Sequence, residues 1–212
     1  MLRIRALAPL AVLVSVSLLA QQRASPQELK EAAIKVPQLL EVLNIKPGMT
    51  VADVGTGFGA MAMELSKWAG LVYATDITPD ALTVLRAEVK ERKLSNVTVL
   101  EGGASSTNLP TTCCDAILMR NVYHHIGSVD AFNRSLMSSL KPGGRLAIID
   151  FAPEAGSKLP AGVPANRGGH GIPTEVVIDE FSAVGFKHLQ TFPAWPPANI
   201  KGSTFLVLFR KE

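Results

Sequence analysis

The chain has 212 residues, 47% of them hydrophobic and 18% charged, with a formal net charge of +3 and a pI near 9.0. That length builds one domain whose core needs neither a metal nor disulfides for stability. The positive balance does not point to nucleic acid. Arg3, Arg5 and Arg23 lie in an N-terminal stretch without acids, and without them 18 basic residues face 18 acidic ones. No Lys/Arg cluster interleaved with aromatics suggests a nucleic-acid face.

Arg3 and Arg5 precede an uncharged run from Ala6 to Ala20. The run is too short for a comfortable transmembrane helix and has the length of a signal-peptide apolar core. Residues 1–24 are therefore expected to be a signal peptide or an N-terminal membrane anchor, with association through residues 1–20 and an exported or membrane-anchored protein. Leu18, three before Ala20, stands where a cleavage site wants a small residue, which keeps the uncleaved anchor open. Mitochondrial import is the third reading, supported by the arginines and the lack of acids before Glu28.

The domain, 25–212, alternates helix and strand, which predicts a mostly parallel sheet with helices on both faces. Ser25-Pro26 starts an amphipathic helix and Pro37 a second short one, the two capping a ligand site. Strands are expected at 50–54, 71–75, 97–100, 115–119 and 145–151, with helices at 60–69, 79–93 and 129–140. The only cysteines, Cys113 and Cys114, are adjacent. Neighbouring Cα atoms sit about 3.8 Å apart, below the usual disulfide range, so both are expected as buried free residues entering a strand. The Gly/Pro-rich segment 152–172 reads as a substrate-side lid or a mobile excursion. A helix over 173–184 and strands at 186–192 and 204–210 follow, the last two joined by a link short enough to favour antiparallel pairing.

Val51, Ala52 and Val54 form a buried strand that runs into Gly55, Thr56, Gly57, Phe58 and Gly59 and then a helix. Glycines there allow positive φ and a close backbone approach to a ligand, and the free N–H groups of the helix point into the same turn. Asp76 ends the next strand about 20 residues on, where a carboxylate can accept both hydroxyls of a ribose. Alone, these glycines also satisfy a dinucleotide fingerprint with Ala60 at its last place. Asp53 argues against pyrophosphate, because a carboxylate there repels a dianion and attracts a cation.

Together, the Val51–Gly59 motif, Asp76 and the Leu140-Lys141-Pro142-Gly143-Gly144-Arg145-Leu146 turn resemble class I S-adenosylmethionine-dependent methyltransferases. Arg120-Asn121-Val122 is similar to the branch of ubiquinone and menaquinone C-methyltransferases, and Asn121 to His125 to bacterial small-molecule methyltransferases. The resemblance covers roughly residues 27–212. It implies a Rossmann-like α/β fold, a seven-stranded mostly parallel sheet with a C-terminal antiparallel pair. It also implies S-adenosyl-L-methionine as cofactor, held by Asp53, Gly55, Thr56, Gly57, Gly59, Asp76, Ile77, Ala104, Ser105 and Asn121. Where many relatives carry an acid after strand three, this chain has Glu101-Gly102-Gly103-Ala104-Ser105-Ser106. A serine there accepts a hydrogen bond, and backbone N–H groups from Gly103 to Ser105 meet the adenine.

A sulfonium methyl is already activated, so the protein must align a nucleophile, exclude water and remove a proton where needed, with no metal required. The catalytic candidates are His124, His125, Tyr123 and Asp150. Histidine titrates near neutrality, and His124 is preferred over His125. Tyr123 suits a pocket wall better than a base, and Asp150 orients a histidine or binds substrate. His170 is read either as sitting on a lid over the site or, more simply, as an exposed loop histidine. Met61, Leu65 and Trp68 are expected in the core, and Trp195 at a pocket rim or in a packed loop. The reading is a methyltransferase acting on a small, apolar or aromatic acceptor. The alternatives are a non-catalytic cofactor-binding protein of the same fold and an NAD-dependent oxidoreductase.

Overall fold

Strand β1, Thr50–Val54, is buried along almost its whole length, as a strand covered on both faces must be. It lies at the centre of the sheet in this computed structural model, which describes residues 23–196 and 204–212. The expected leader up to residue 22, and residues 197–203 of the Pro-rich link, lie outside the described residues. In chain order the elements are α1 (Pro26–Val42), β1, α2 (Ala60–Leu65), β2 (Leu71–Asp76), α3 (Pro79–Glu91), β3 (Val97–Glu101) and β4 (Cys114–Arg120). A 3-10 turn, Tyr123–His125, leads to α4 (Val129–Ser139) and β5 (Leu140–Phe151). After a second 3-10 turn, Ala165–Arg167, come α5 (Thr174–Ser182), β6 (Phe186–Phe192) and β7 (Thr204–Lys211).

The sheet order is β3-β2-β1-β4-β5-β7-β6. β7 pairs antiparallel with both β5 and β6, so it alone runs against the other six. Alternating residues divide between two cores. Val51, Ala116, Leu118, Ala147 and Ile149 pack under α1 and α2, whereas Ala52, Val54, Ile117, Met119 and Ile148 pack under α4 and α5. This is the expected doubly covered sheet. It sets the carboxyl ends of β1, β2, β4 and β5 along one edge, where open α/β sheets bind ligands beside a reversal of strand order.

Several local expectations are corrected. α1 is one helix that continues through Pro37, because Ala32, Val36 and Leu39 form one buried stripe spanning the proline and outweigh its missing N–H. Ser25 and Glu28 close its start as a capping box, and Arg23, assigned to the leader from sequence, pairs with Glu88 of α3 at 2.8 Å. α2 ends at Leu65, so Trp68 lies beyond it and is 48% exposed rather than in the core. There the Asn96 side chain donates to the carbonyls of Ser66 and Ala69, closing the turn without the indole. Cys113 and Cys114 are joined to each other as a disulfide, not free thiols; Thr112, at φ 53°, turns the chain immediately before them.

The 152–172 segment folds back over the carboxyl edge. The Ile172 N–H bonds the Phe151 carbonyl at 2.9 Å, and Arg167 is fully buried. Its Nη1 donates to Glu180 of α5 at 2.6 Å, and its guanidinium lies 5.5 Å from the Tyr123 ring centroid. Arg167→Ala leaves Glu180 without its cation beneath the segment and is expected to cost about 3 kcal/mol. Urea denaturation measures this directly; a loss under about 1 kcal/mol, the worth of a surface pair, contradicts an anchoring role.

Candidate active site

The glycine turn is shaped by two close approaches. Gly55, at φ 74°, packs against Val122, and an added Cβ would collide with that side chain. Gly59, at φ 83°, precedes α2 and lies equally close to Leu85. The N–H groups of Gly55 and Thr56 both donate to the Thr75 carbonyl, at 2.8 and 2.9 Å, fastening the turn to β2. Beside it Asp76 accepts from the N–H groups of Gly57 and Thr78, at 2.8 and 2.9 Å through different oxygens. Each of those oxygens keeps a free lone pair, the capacity a pair of ribose hydroxyls requires.

Two cavities meet at Gly55. One, about 450 Å³, is lined by Asp76, Ile77, Ala104, Val122 and His125, together with Ala161 and Gly162 of the 152–172 segment. The other, about 290 Å³, is lined by Asp53, Thr56, Gly57 and Arg120 and bordered by Glu28 of α1. The segment therefore forms part of the wall, as a lid does, and α1 closes the second cavity. Among the expected cofactor residues, Asp53, Gly55, Thr56, Gly57, Asp76, Ile77 and Ala104 line these two spaces. Three do not. Gly59 is buried against Leu85 and shapes the turn. Ser105 points to solvent, and Ser106 and Thr107 line the larger cavity in its place. Asn121, at φ 56°, faces a separate space of about 150 Å³ beside Lys35 and Trp195.

Asp53 is 2% exposed, and its Oδ2 accepts from Thr56 Oγ1 at 2.6 Å. Burial pushes its carboxyl up to about 6, against the opposing pull of the Thr56 bond and of Arg120. Arg120 is the residue that sequence reasoning missed. It ends β4, the strand beside β1, and lines both the Asp53 cavity and the Asn121 space. Its signal was available, since a basic residue at the carboxyl end of a central strand faces the ligand edge.

Beyond β4 the 3-10 turn sends three successive side chains in three directions, as a period of three residues demands. Tyr123 enters the core. It is fully buried, donates to Glu180 at 2.9 Å and accepts from Asn133 at 2.8 Å. Burial and the neighbouring Glu180 push its phenol far above the usual range. Tyr123 is therefore neither a base nor a wall of the cavities, but part of the bonded set that anchors the turn and Arg167.

His124 turns toward β5, and Asp150 accepts from its backbone N–H at 3.1 Å and contacts Nδ1 at 2.8 Å. When Nδ1 donates to that carboxylate, Nε2 of a neutral ring presents a lone pair. That Nε2 is buried and has no partner among the described residues. Asp150 thus orients a histidine, while the preferred His124 sits behind the cavity wall and His125 is the one that lines it. His170 is half-buried rather than exposed, and its ring centroid lies 4.9 Å from that of His124 and 5.6 Å from that of His125. Partial burial, then His124 and His170, lower the pKa of His125.

Residues 52–148 match the methyltransferase domain family. The ubiquinone/menaquinone biosynthesis C-methyltransferase of Shewanella oneidensis is 31% identical over 117 residues, 53% of this chain and 47% of that protein. The chain spans about half the length of the curated relatives it matches. A SAM-dependent methyltransferase from Aquifex aeolicus superposes with a TM-score of 0.63 at 24% identity, covering 90% of this chain and all of that one. A phosphoethanolamine N-methyltransferase of Haemonchus contortus, in complex with S-adenosyl-L-methionine, gives 0.64 at 16% identity, covering 83% of this chain and 51% of that one. At these identities the two structures establish the fold.

A carboxyl that titrates near 6 makes capture of a cationic ligand pH-dependent. Only the ionised form attracts the cation, so S-adenosylmethionine is expected to bind about tenfold more weakly at pH 5 than at pH 7. Asp53→Asn is expected to bind weakly at both. Calorimetric titration at the two pH values checks this, and a flat profile in the unmodified protein contradicts it.

Proposed function

We propose that this chain, which belongs to the class I S-adenosylmethionine-dependent methyltransferases, transfers a methyl group from that cofactor to a small-molecule acceptor. The observation that carries the reading is the pair of carboxylates flanking Gly55, a buried Asp53 on one side and the lone pairs of Asp76 on the other. A ligand with a cationic amino acid end and a ribose satisfies both at once. The Asp53 cavity would take the methionine part, its ammonium beside Asp53 and its carboxylate beside Arg120. The larger cavity would take the adenosine between Ile77 and Ala104. The sulfonium then lies where the two spaces meet, at Gly55 and Val122.

In the reaction a lone pair of the acceptor forms the new bond to the methyl carbon as the S–CH3 bond breaks. The bonding electrons stay on sulfur, which becomes neutral as S-adenosylhomocysteine is formed. An in-line approach gives the protein two tasks, alignment and exclusion of water. Val122, Ile126 and Phe132 supply an apolar wall on the acceptor side, Ala161 and Gly162 close it, and His125, Thr107 and Ser128 are polar groups of the same lining. An apolar or aromatic acceptor with one reacting polar atom fits that wall. The curated relatives act in ubiquinone and menaquinone biosynthesis by their names, which supports an acceptor of comparable size. A nicotinamide dinucleotide is disfavoured, because its pyrophosphate would face the buried Asp53.

S-Adenosylhomocysteine at about a hundred times its Kd is expected to add about 2.7 kcal/mol of stability, or roughly 5 to 10 °C in Tm for a domain of this size. Incubation of the protein with methyl-labelled S-adenosylmethionine and host extract is expected to yield a labelled small molecule by mass spectrometry. The product is expected to disappear with Asp53→Ala. A thermal shift with NAD but none with S-adenosylhomocysteine contradicts the proposal.

A further inference from the structure

We infer that His124, His125 and His170 form a site for one divalent transition-metal ion of the zinc class, with an open coordination position toward the larger cavity. The argument begins with an unsatisfied atom. His124 Nε2 is buried without a partner among the described residues, although leaving a buried polar atom unpaired is costly and uncommon. Its ring is not loose: Asp150 fixes Nδ1 at 2.8 Å and holds the backbone N–H of the same residue. Metal-binding imidazoles are held in this way, one nitrogen donating to a carboxylate while the other ligates.

Two further imidazoles converge on the first. One nitrogen from each of the three rings lies within 4.8 Å of the others. A tetrahedral ion with bonds of about 2.0–2.1 Å needs ligand nitrogens roughly 3.3 Å apart. The rings must therefore close by an ångström or so. His125 is solvent-facing, and His170 sits between Gly169 at φ 149° and Gly171 at φ 120°, so both have room to adjust while His124 stays anchored. The rings of His124 and His170 also pack edge-on against Phe151, at centroid distances of 4.7 and 5.3 Å, which holds the cluster together but leaves His124 Nε2 unpaired among the described residues. Three neutral nitrogens suit zinc and its first-row neighbours, whereas magnesium and calcium demand oxygen.

The fourth position decides what the ion would do. His125 lines the larger cavity, and the segment that carries His170 supplies Ala161 and Gly162 to the same lining, Gly162 lying against Gly127. Three histidines with one open place is the ligand pattern of catalytic zinc. Resting on the methyl-transfer reading, the substrate class becomes an acceptor with an ionisable oxygen or sulfur, such as a phenol or thiol. Bound to the ion it loses its proton to solvent and keeps a lone pair for the methyl group. Methionine cofactor and metal would thus act from opposite sides of one cavity.

The test is calorimetric titration of the tag-free, chelator-treated full-length protein with zinc chloride, then with S-adenosylhomocysteine in the same cell. One zinc per chain is expected, weakened at least roughly tenfold by His170→Ala and by Asp150→Asn, and unchanged by His188→Ala on the exposed face of β6. Because Asp150 is buried, His170→Ala, on the lid, keeps the test decisive if Asp150→Asn fails to fold. Cobalt substitution is expected to give the visible absorption of a tetrahedral site. No saturable binding, or binding that survives both His170→Ala and His125→Ala, overturns the metal site. Zinc binding without S-adenosylhomocysteine binding supports the site and refutes methyl transfer. The reverse refutes the site and leaves methyl transfer standing.

Discussion

A carboxylate buried at the carboxyl end of the central strand is the constraint on which the site depends. Asp53 is 2% exposed and titrates near 6, because burial disfavours its charge more than Thr56 and Arg120 restore it. The folded state then holds a proton more firmly than the unfolded chain, so the contribution of Asp53 to stability is full below about pH 4 and is lost as pH rises through about 6. Above that the ionised group costs the apoprotein on the order of 2–3 kcal/mol. In the proposed complex an arriving ammonium would offset this cost, which would link ligand affinity to the same carboxyl. Thr56 and Arg120 offset only part of that cost, and that makes Asp53 more informative than the glycines beside it.

The sheet explains why the other groups are where the cation needs them. β1 and β4 are parallel neighbours, so the residues just beyond their carboxyl ends, Gly55 and Val122, meet side by side. Their contact separates a polar space from a largely apolar one and leaves Gly55 in the wall of both. The turn that follows Val122 then sorts its side chains. Tyr123 enters the core with Asn133 and Glu180, His124 docks on Asp150 of β5, and His125 faces the cavity. Arg167 ties the lid to the same bonded set through Glu180, so lid position and histidine position are mechanically connected.

Local patterns were legible in the sequence to the extent that one element determines them. The apolar run of β1, the glycines after it and Asp76 at the end of β2 imply a cradle without any knowledge of the rest. The antiparallel pairing of β7 with β6 followed from a link too short for a crossover, whereas the insertion of β7 between β5 and β6 did not. Patterns set by packing between distant elements were not legible. Pro37 reads as a helix boundary until the buried stripe of Ala32, Val36 and Leu39 is seen to run past it. Trp68 reads as core at helical spacing, but α2 stops first. Tyr123 looks like a site residue by its neighbours in the chain, while its environment is made by α4 and α5. His170 lies 45 positions beyond His125 in a segment of glycines and prolines; a lid over the site was one reading of that segment, but its convergence on both other histidines is set by packing that no local pattern encodes. Arg120 is the opposite case, since its strand-end position was readable and was passed over.

A crystal structure with bound S-adenosylhomocysteine tests the account most directly. It predicts the ligand ammonium within about 3 Å of the Asp53 carboxylate and both ribose hydroxyls on Asp76, with the sulfur beside Gly55 and Val122, open to the cavity that His125 lines. A ligand seated elsewhere on the carboxyl edge, or an Asp53 that keeps only Thr56 as its partner in the complex, would contradict it.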